Sequence, residues 1–364
     1  MLASGTLSIT SLGPAGPRYA GPVEQPEQVQ YFELGDFELQ SGEVLQGARL
    51  AYVTCGIWQP AQANAVLFPT YYTGSHRDNL KLVQPGRALD PERWFVVIPN
   101  LFGNGVSSSP SNHRTQGGAD FPRVTLYDNV RAQQRLLTEQ LGIERVELAL
   151  GWSMGAQQAY HHAALFPERV ASLLAVCGSA RTSPHNRVFL EGVKAALLAD
   201  ASFAQGRYSE QPVRGLAAFG RVYAGWAYSQ AFFRNREYEA LGHASPEALL
   251  DAWALDHQAW DANDLLCMLW SWQHADISDN PRFERDLAQA LGAISARSLL
   301  MPASTDLYFH PDDNRLELAH LLRGELRQIV STWGHSAGAP DRNPRASAQI
   351  DAAIIELLGA RGLR

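Results

Sequence analysis

The chain has 364 residues, 46% of them hydrophobic and 18% charged, which is long enough for one large α/β domain with an insertion and outside the range of disordered or fibrous proteins. A net charge of −7 argues against nucleic acid or an anionic membrane as the main partner, because both are met with a basic face. Three widely separated cysteines (Cys55, Cys177 and Cys267) form no C-x-x-C pair, which speaks against a zinc ribbon, a redox dithiol or a disulfide scaffold and fits a reducing cytoplasm.

Residues 1–30 are rich in Gly, Pro and Ser and lack a basic segment followed by an apolar one. They read as an extended or disordered arm and not as a secretory signal. No apolar run reaches the roughly 18 residues that a membrane-spanning helix needs. Short apolar runs then recur at 65–69, 94–99, 146–150, 172–176, 298–301 and 326–330, several of them apolar on both faces, as strands of a covered parallel sheet must be. Helical periodicity lies between them. Val130, Leu136, Leu137 and Leu141 fall at helical intervals, with Asp128 in the first turn and Gly142 just past the end. Residues 154–165 predict another helix that stops before Phe166-Pro167. Alternating strands and helices predict a mostly parallel sheet flanked by helices.

The alternation fails over 183–290. That stretch reads helical and holds five of the nine tryptophans: Trp226, Trp253, Trp260, Trp270 and Trp272. It is expected to be a helical lid inserted into a core made of 31–182 and 291–364.

Gly151-Trp152-Ser153-Met154-Gly155 is a G-x-S-x-G pattern, entered by the run 146–150 and left by the helix 154–165. Strand, tight turn and helix in that order are what a nucleophile elbow requires, so the expected class is the α/β-hydrolase fold with Ser153 as nucleophile. A serine hydroxyl needs a base, and the base needs an orienting acid. In this fold they follow in the order Ser, Asp, His. Asp306 lies just past the run 298–301, and His335 just past 326–331. Their separation, 335 − 306 = 29, leaves room for one helix, expected over 311–322. Asp312 and Asp313 are explained by capping of that helix, His310 precedes the last strand, and His161 and His162 are assigned to packing or surface roles. Oxyanion donors are expected at the N–H of Met154 and at the N–H of Tyr72, on the loop after 65–69. Gly103-Asn104-Gly105 lacks the third glycine of a dinucleotide loop and reads as a tight turn. No metal or redox cofactor is called for.

Beyond the fold, the chain resembles the homoserine O-acetyltransferase family and its hydrolase relatives. The resemblance is carried by Tyr72-Thr73-Gly74-Ser75, by 93–103 (RWFVVIPNLFG), by Phe121-Pro122-Arg123-Val124-Thr125, by 141–145 (LGIER), by the elbow, by Asp261-Ala262-Asn263 and by Gly334-His335. It implies an acyl-serine intermediate, with acetyl-CoA or another acyl-CoA as co-substrate if the enzyme is a transferase. It also implies a lid that often forms a homodimer interface. Arg221 and Tyr228 resemble the family pair that holds the acceptor's carboxylate; a lid salt bridge for Arg221 and core packing for Tyr228 are the competing reading. The family usually has Gly where Trp152 and Ala156 stand, and Asp where Ser336 follows the catalytic His. Loss of that acid removes the partner of the homoserine amine, and Trp152 is placed against the pocket. The expected activity is therefore hydrolysis of an ester or thioester of a small substrate, with O-acyl transfer as the alternative and a non-catalytic binding protein as a remote third.

Overall fold

The computed structural model describes residues 28–359; residues 1–27 of the expected arm lie outside them. Eight strands form one sheet in the order β1-β2-β4-β3-β5-β6-β7-β8. They are β1 (Gln30–Glu38), β2 (Val44–Cys55), β3 (Ala65–Leu67), β4 (Phe95–Pro99), β5 (Leu148–Trp152), β6 (Ser172–Val176), β7 (Arg297–Met301) and β8 (Gly324–Leu326). From β4 to β8 all pairings are parallel, and β1 and β2 add an antiparallel edge. This is the expected mostly parallel sheet. The edge hairpin was not anticipated, because β1 is mostly exposed and Gly35 breaks its register, so no apolar run marks it.

Side chains of the parallel strands alternate between two buried faces. Ala149, Leu173 and Ala175 face one core, whereas Leu148, Leu150, Leu174 and Val176 face the other. Full burial on both sides explains why these strands read as continuous apolar runs, and each buried Leu or Val contributes about 1.5–3 kcal/mol relative to exposure. Three short helices and one longer one complete the early half: α1 (His76–Leu80), α2 (Leu126–Arg135), α3 (Met154–Leu165) and α4 (Pro184–Leu198). Thr125 starts α2 with a capping box, its Oγ1 accepting from Asp128 N and the Asp128 carboxylate accepting from Thr125 N. A π-helical turn over Leu136–Gln140 carries α2 on to the end expected at 141.

After α4 come α5 (Val213–Ala227), α6 (Gln230–Arg234), α7 (Pro246–Gln258), α8 (Ala262–Gln273) and α9 (Leu287–Gly292), all between β6 and β7. A third apolar cluster joins their residues Phe189, Tyr223, Trp253 and Trp272 to Tyr71, Tyr72, Met154 and Tyr308, which lie just past β3, β5 and β7. The helices between β6 and β7 therefore sit on the C-terminal ends of the strands. The chain closes with α10 (Pro311–Leu318) and α11 (Pro344–Gly359), the latter packing Ile350 and Ile354 against the sheet. β8 is shorter than expected, but Arg327 N and Ile329 N still donate to Leu300 O and Pro302 O, so the pairing continues past its last regular residue. No helix among the described residues is long and apolar enough to cross a membrane.

Candidate active site

Ser153 occupies the turn between β5 and α3 with φ 58° and ψ −128°, a conformation that L-residues rarely adopt. The chain tolerates it because residues 151 and 155 are glycine. A Cβ on Gly151 would sit 2.1 Å from the carbonyl carbon of Gly155, and one on Gly155 would sit 2.8 Å from Pro69 O. Strand and helix can then cross closely enough to leave Ser153 at the tip, 3% exposed.

The residues expected as acid and base, Asp306 and His335, lie past β7 and β8, with β6 between these strands and the elbow. Asp306 is 1% exposed, and its Oδ1 accepts hydrogen bonds from Tyr308 N at 2.8 Å and Phe309 N at 3.1 Å. Its Oδ2 lies 2.7 Å from His335 Nδ1. A carboxylate only accepts, so Nδ1 carries the proton and Nε2 keeps its lone pair, the tautomer a general base requires. Two hydroxyls lock these loops together. Ser304 Oγ and Thr305 Oγ1 both donate to Ser331 O, at 3.0 and 2.8 Å, and Thr305 Oγ1 accepts from Gly334 N at 3.1 Å. Ser153 Oγ makes no hydrogen bond among the described residues; in free enzymes the contact between nucleophile and base is often loose and tightens with substrate.

Neither Met154 N–H nor Tyr72 N–H donates a hydrogen bond among the described residues. Met154 opens the 12-residue α3, where the helix dipole favours negative charge. Gln158 ties the two loops together. Its Nε2 donates to Thr70 O at 2.8 Å and to Met154 O at 3.1 Å, while its Oε1 accepts from Gln133 Nε2 at 2.6 Å.

A family model described as the alpha/beta hydrolase fold matches residues 66–339. The chain belongs to that family. An ethyl acetate hydrolase of Pseudomonas veronii is 35% identical over 336 residues, covering 91% of this chain and 95% of that protein. A homoserine O-acetyltransferase of Geobacter sulfurreducens is 37% identical over 352 residues, covering 85% of this chain and 92% of that protein. The crystal structure of an acetylester hydrolase from Corynebacterium glutamicum matches with a TM-score of 0.87 at 33% identity, over 91% of this chain and 96% of that one. The protein is thus an enzyme of a group that contains both esterases and homoserine O-acetyltransferases.

Trp152 of the α/β-hydrolase is half-buried, and its ring stacks on His335 with centroids 4.8 Å apart and planes at 26°. Its Nε1 donates to His335 O at 3.3 Å, and Tyr71 packs on it edge-on at 4.5 Å. Trp152 therefore braces His335 from one side. Ala156, the other departure, fits because residue 178 is glycine: a Cβ there would lie 2.4 Å from the Ala156 methyl.

The pairing of Arg221 with Tyr228 is corrected. Arg221 lies on the exposed side of α5, its side chain 45% accessible, in an ion pair with Asp251. Tyr228 has left the helix, with φ −119° and ψ 152°, and is buried with its ring stacked on Phe232 at 4.1 Å. Seven residues would span two turns only if the helix continued, and α5 ends at Ala227, so the two side chains do not share a face.

The rival residues fall elsewhere. Asp312 and Asp313 occupy the first turn of α10, capped by His310. His162 contacts Gln133 Oε1 at 3.0 Å, and burial lowers its pKa to about 3, so it stays neutral. His161 contacts Gln157 O at 2.8 Å. Gly103 packs against the Cys267 side chain on α8, so that loop is a packing turn. Gln158, Ser304 and Thr305 were not singled out in the sequence. They are polar residues at unremarkable spacing, and most of their partners, such as Thr70 O and Ser331 O, are brought near only by folding.

Proposed function

We propose that this enzyme hydrolyses short carboxylic esters through an acyl-Ser153 intermediate. The observation that carries the reading is the buried Asp306–His335 pair at the strand ends next to the strained Ser153 elbow. His335 Nε2 removes the Ser153 proton as Oγ bonds to the ester carbonyl carbon. The oxyanion is met by the N–H groups of Met154 and Tyr72. Collapse breaks the bond to the alkoxide, which leaves with the proton held by His335. Water then adds to the acyl carbon, His335 takes its proton, and the released Ser153 recovers it. Asp306 holds the tautomer and stabilises the imidazolium. The helices of 183–290 act as a lid over the acyl site, and the route requires no metal or cofactor.

Esterase relatives with 91% coverage support hydrolysis, as does Ser336 in place of the acid expected for homoserine. The similarity to a homoserine O-acetyltransferase supports the second reading, transfer from acetyl-CoA to a hydroxyl. Purified enzyme should release acetate from ethyl acetate, and Ser153→Ala should not. Rapid O-acetylhomoserine formation from acetyl-CoA at low homoserine, with no ester hydrolysis, would replace the first reading by the second.

A further inference from the structure

The triad and the oxyanion donors leave a set of buried polar groups beside them without a role. Asn186, on the buried face of α4, is 0% exposed, and neither its Nδ2 nor its Oδ1 has a hydrogen-bond partner among the described residues. The same holds for Tyr72 Oη and Trp272 Nε1. A buried polar group without a partner keeps its whole desolvation cost, so packing alone would favour Leu or Phe at these positions. In the Glu317, Asn314 and Tyr160 network, by contrast, every residue makes at least one hydrogen bond, whereas Asn186 makes none with either side-chain atom among the described residues.

These three residues border one aromatic cage that ends at the base. The rings of Tyr72 and Trp272 are 5.5 Å apart, Trp272 lies 5.6 Å from Tyr308, and Tyr308 lies 4.7 Å from His335. Asn186 stands one turn before Phe189, whose ring stacks on Tyr308 at 4.6 Å and meets Trp272 at 6.3 Å. Tyr72 also carries one of the oxyanion N–H groups, so its side chain starts within a few bonds of the reacting carbon.

The chemistry of the set selects its ligand. Trp272 Nε1 only donates, whereas Tyr72 and Asn186 donate and accept. None of the three is charged. Burial mainly raises the pKa of Tyr223 and Tyr308; the Asp306 carboxylate comes next for Tyr223 and, after Tyr223, for Tyr308, and a carboxylate there repels an anion. We propose that Tyr72, Asn186 and Trp272 form a neutral polar subsite beside His335 that binds an uncharged hydroxyl or carbonyl group carried by the ester. The inference rests on the esterase reading above, and it replaces the carboxylate expected from Arg221 with a neutral group.

Two isosteric pairs test it: 2-hydroxyethyl acetate against propyl acetate, and ethyl glycolate against ethyl propionate. Each kcat/KM is divided by the ester's alkaline hydrolysis rate to remove intrinsic reactivity. In one pair the hydroxyl ester should be preferred about tenfold or more, because a site built to hydrogen-bond a group discriminates against the analogue that lacks it. Trp272→Phe and Asn186→Leu should each pull that ratio towards one. A wild-type ratio near one in both pairs overturns the subsite, whether or not the variants fold. A preference that persists undiminished in both variants overturns it too. Cleavage of propyl acetate without preference rejects the subsite alone, whereas no cleavage of any ester rejects the esterase reading with it.

Discussion

Replacing Glu317 with Gln should make the protein's stability less sensitive to pH, by an amount that follows from the environment of the carboxyl. Glu317 lies in α10, 5% exposed. Its Oε1 accepts from Ala180 N at 2.7 Å, and its Oε2 accepts from Tyr160 Oη at 2.9 Å and Asn314 Nδ2 at 2.8 Å. It thereby joins the loop after β6, the elbow helix α3 and the helix after Asp306. Burial outweighs these hydrogen bonds and pushes its pKa up to about 7 from the ordinary 4.5. The native state therefore holds a proton over an interval in which the unfolded chain has released it. With more protons on the native side, stability falls as pH rises from 4.5 to about 7, and the loss is complete above that. At about 1.36 kcal/mol per pKa unit the whole shift is worth about 3 kcal/mol, of which about 2–3 kcal/mol falls between pH 5 and pH 8. Glu317→Gln cannot ionise. Its amide nitrogen replaces one acceptor oxygen, a loss that is the same at both pH values and cancels from their difference. Urea unfolding of both proteins at pH 5 and pH 8 gives the test, read as variant minus wild type. That difference should rise in favour of the variant by about 2–3 kcal/mol from pH 5 to pH 8. Asp264, also raised to about 7 by burial, contributes equally to both proteins and cancels. A difference that is flat, or that falls with pH, would refute the reasoning.

Other outcomes follow from the site. Asp306→Asn should lower kcat/KM by about 10⁴-fold, whereas Asp313→Asn, in the first turn of α10, should stay within about threefold in the same ester assay. A fluorophosphonate probe should label wild type once and Ser153→Ala not at all, as read by intact mass. Gln158→Leu leaves Thr70 O and Gln133 Nε2 unpaired, at about 1–3 kcal/mol each. It should also lower kcat by about ten- to a hundredfold with KM little changed, because the two oxyanion loops lose their tie. Arg221→Ala should alter kcat/KM for carboxylate-bearing and neutral esters equally, by less than about twofold, since an exposed ion pair is worth little.

Some of this was legible in the chain before folding. The parallel strands could be read because burial on both faces leaves uninterrupted apolar runs, as in β5 and β6. The elbow could be read because its backbone demands glycine at 151 and 155, a constraint local enough to be written in five consecutive residues. The order of Ser153, Asp306 and His335 follows from which strand ends carry them. The hairpin of β1 and β2 was missed because β1 is mostly exposed and carries no such pattern. For Arg221 and Tyr228 the competing reading of a lid ion pair and core packing fits the structure, because a seven-residue spacing implies a shared face only while the helix lasts, and α5 ends at Ala227. Folding alone settled which side chains meet across long separations. The Gln158 amide reaches Thr70 O, 88 residues away, Trp152 stacks on His335, 183 residues away, and Asn186 is buried with no hydrogen-bond partner among the described residues. Local sequence fixes conformations that cost backbone energy, whereas contacts between distant segments depend on how helices of the insertion settle on the strand ends, and no short stretch of sequence contains both partners.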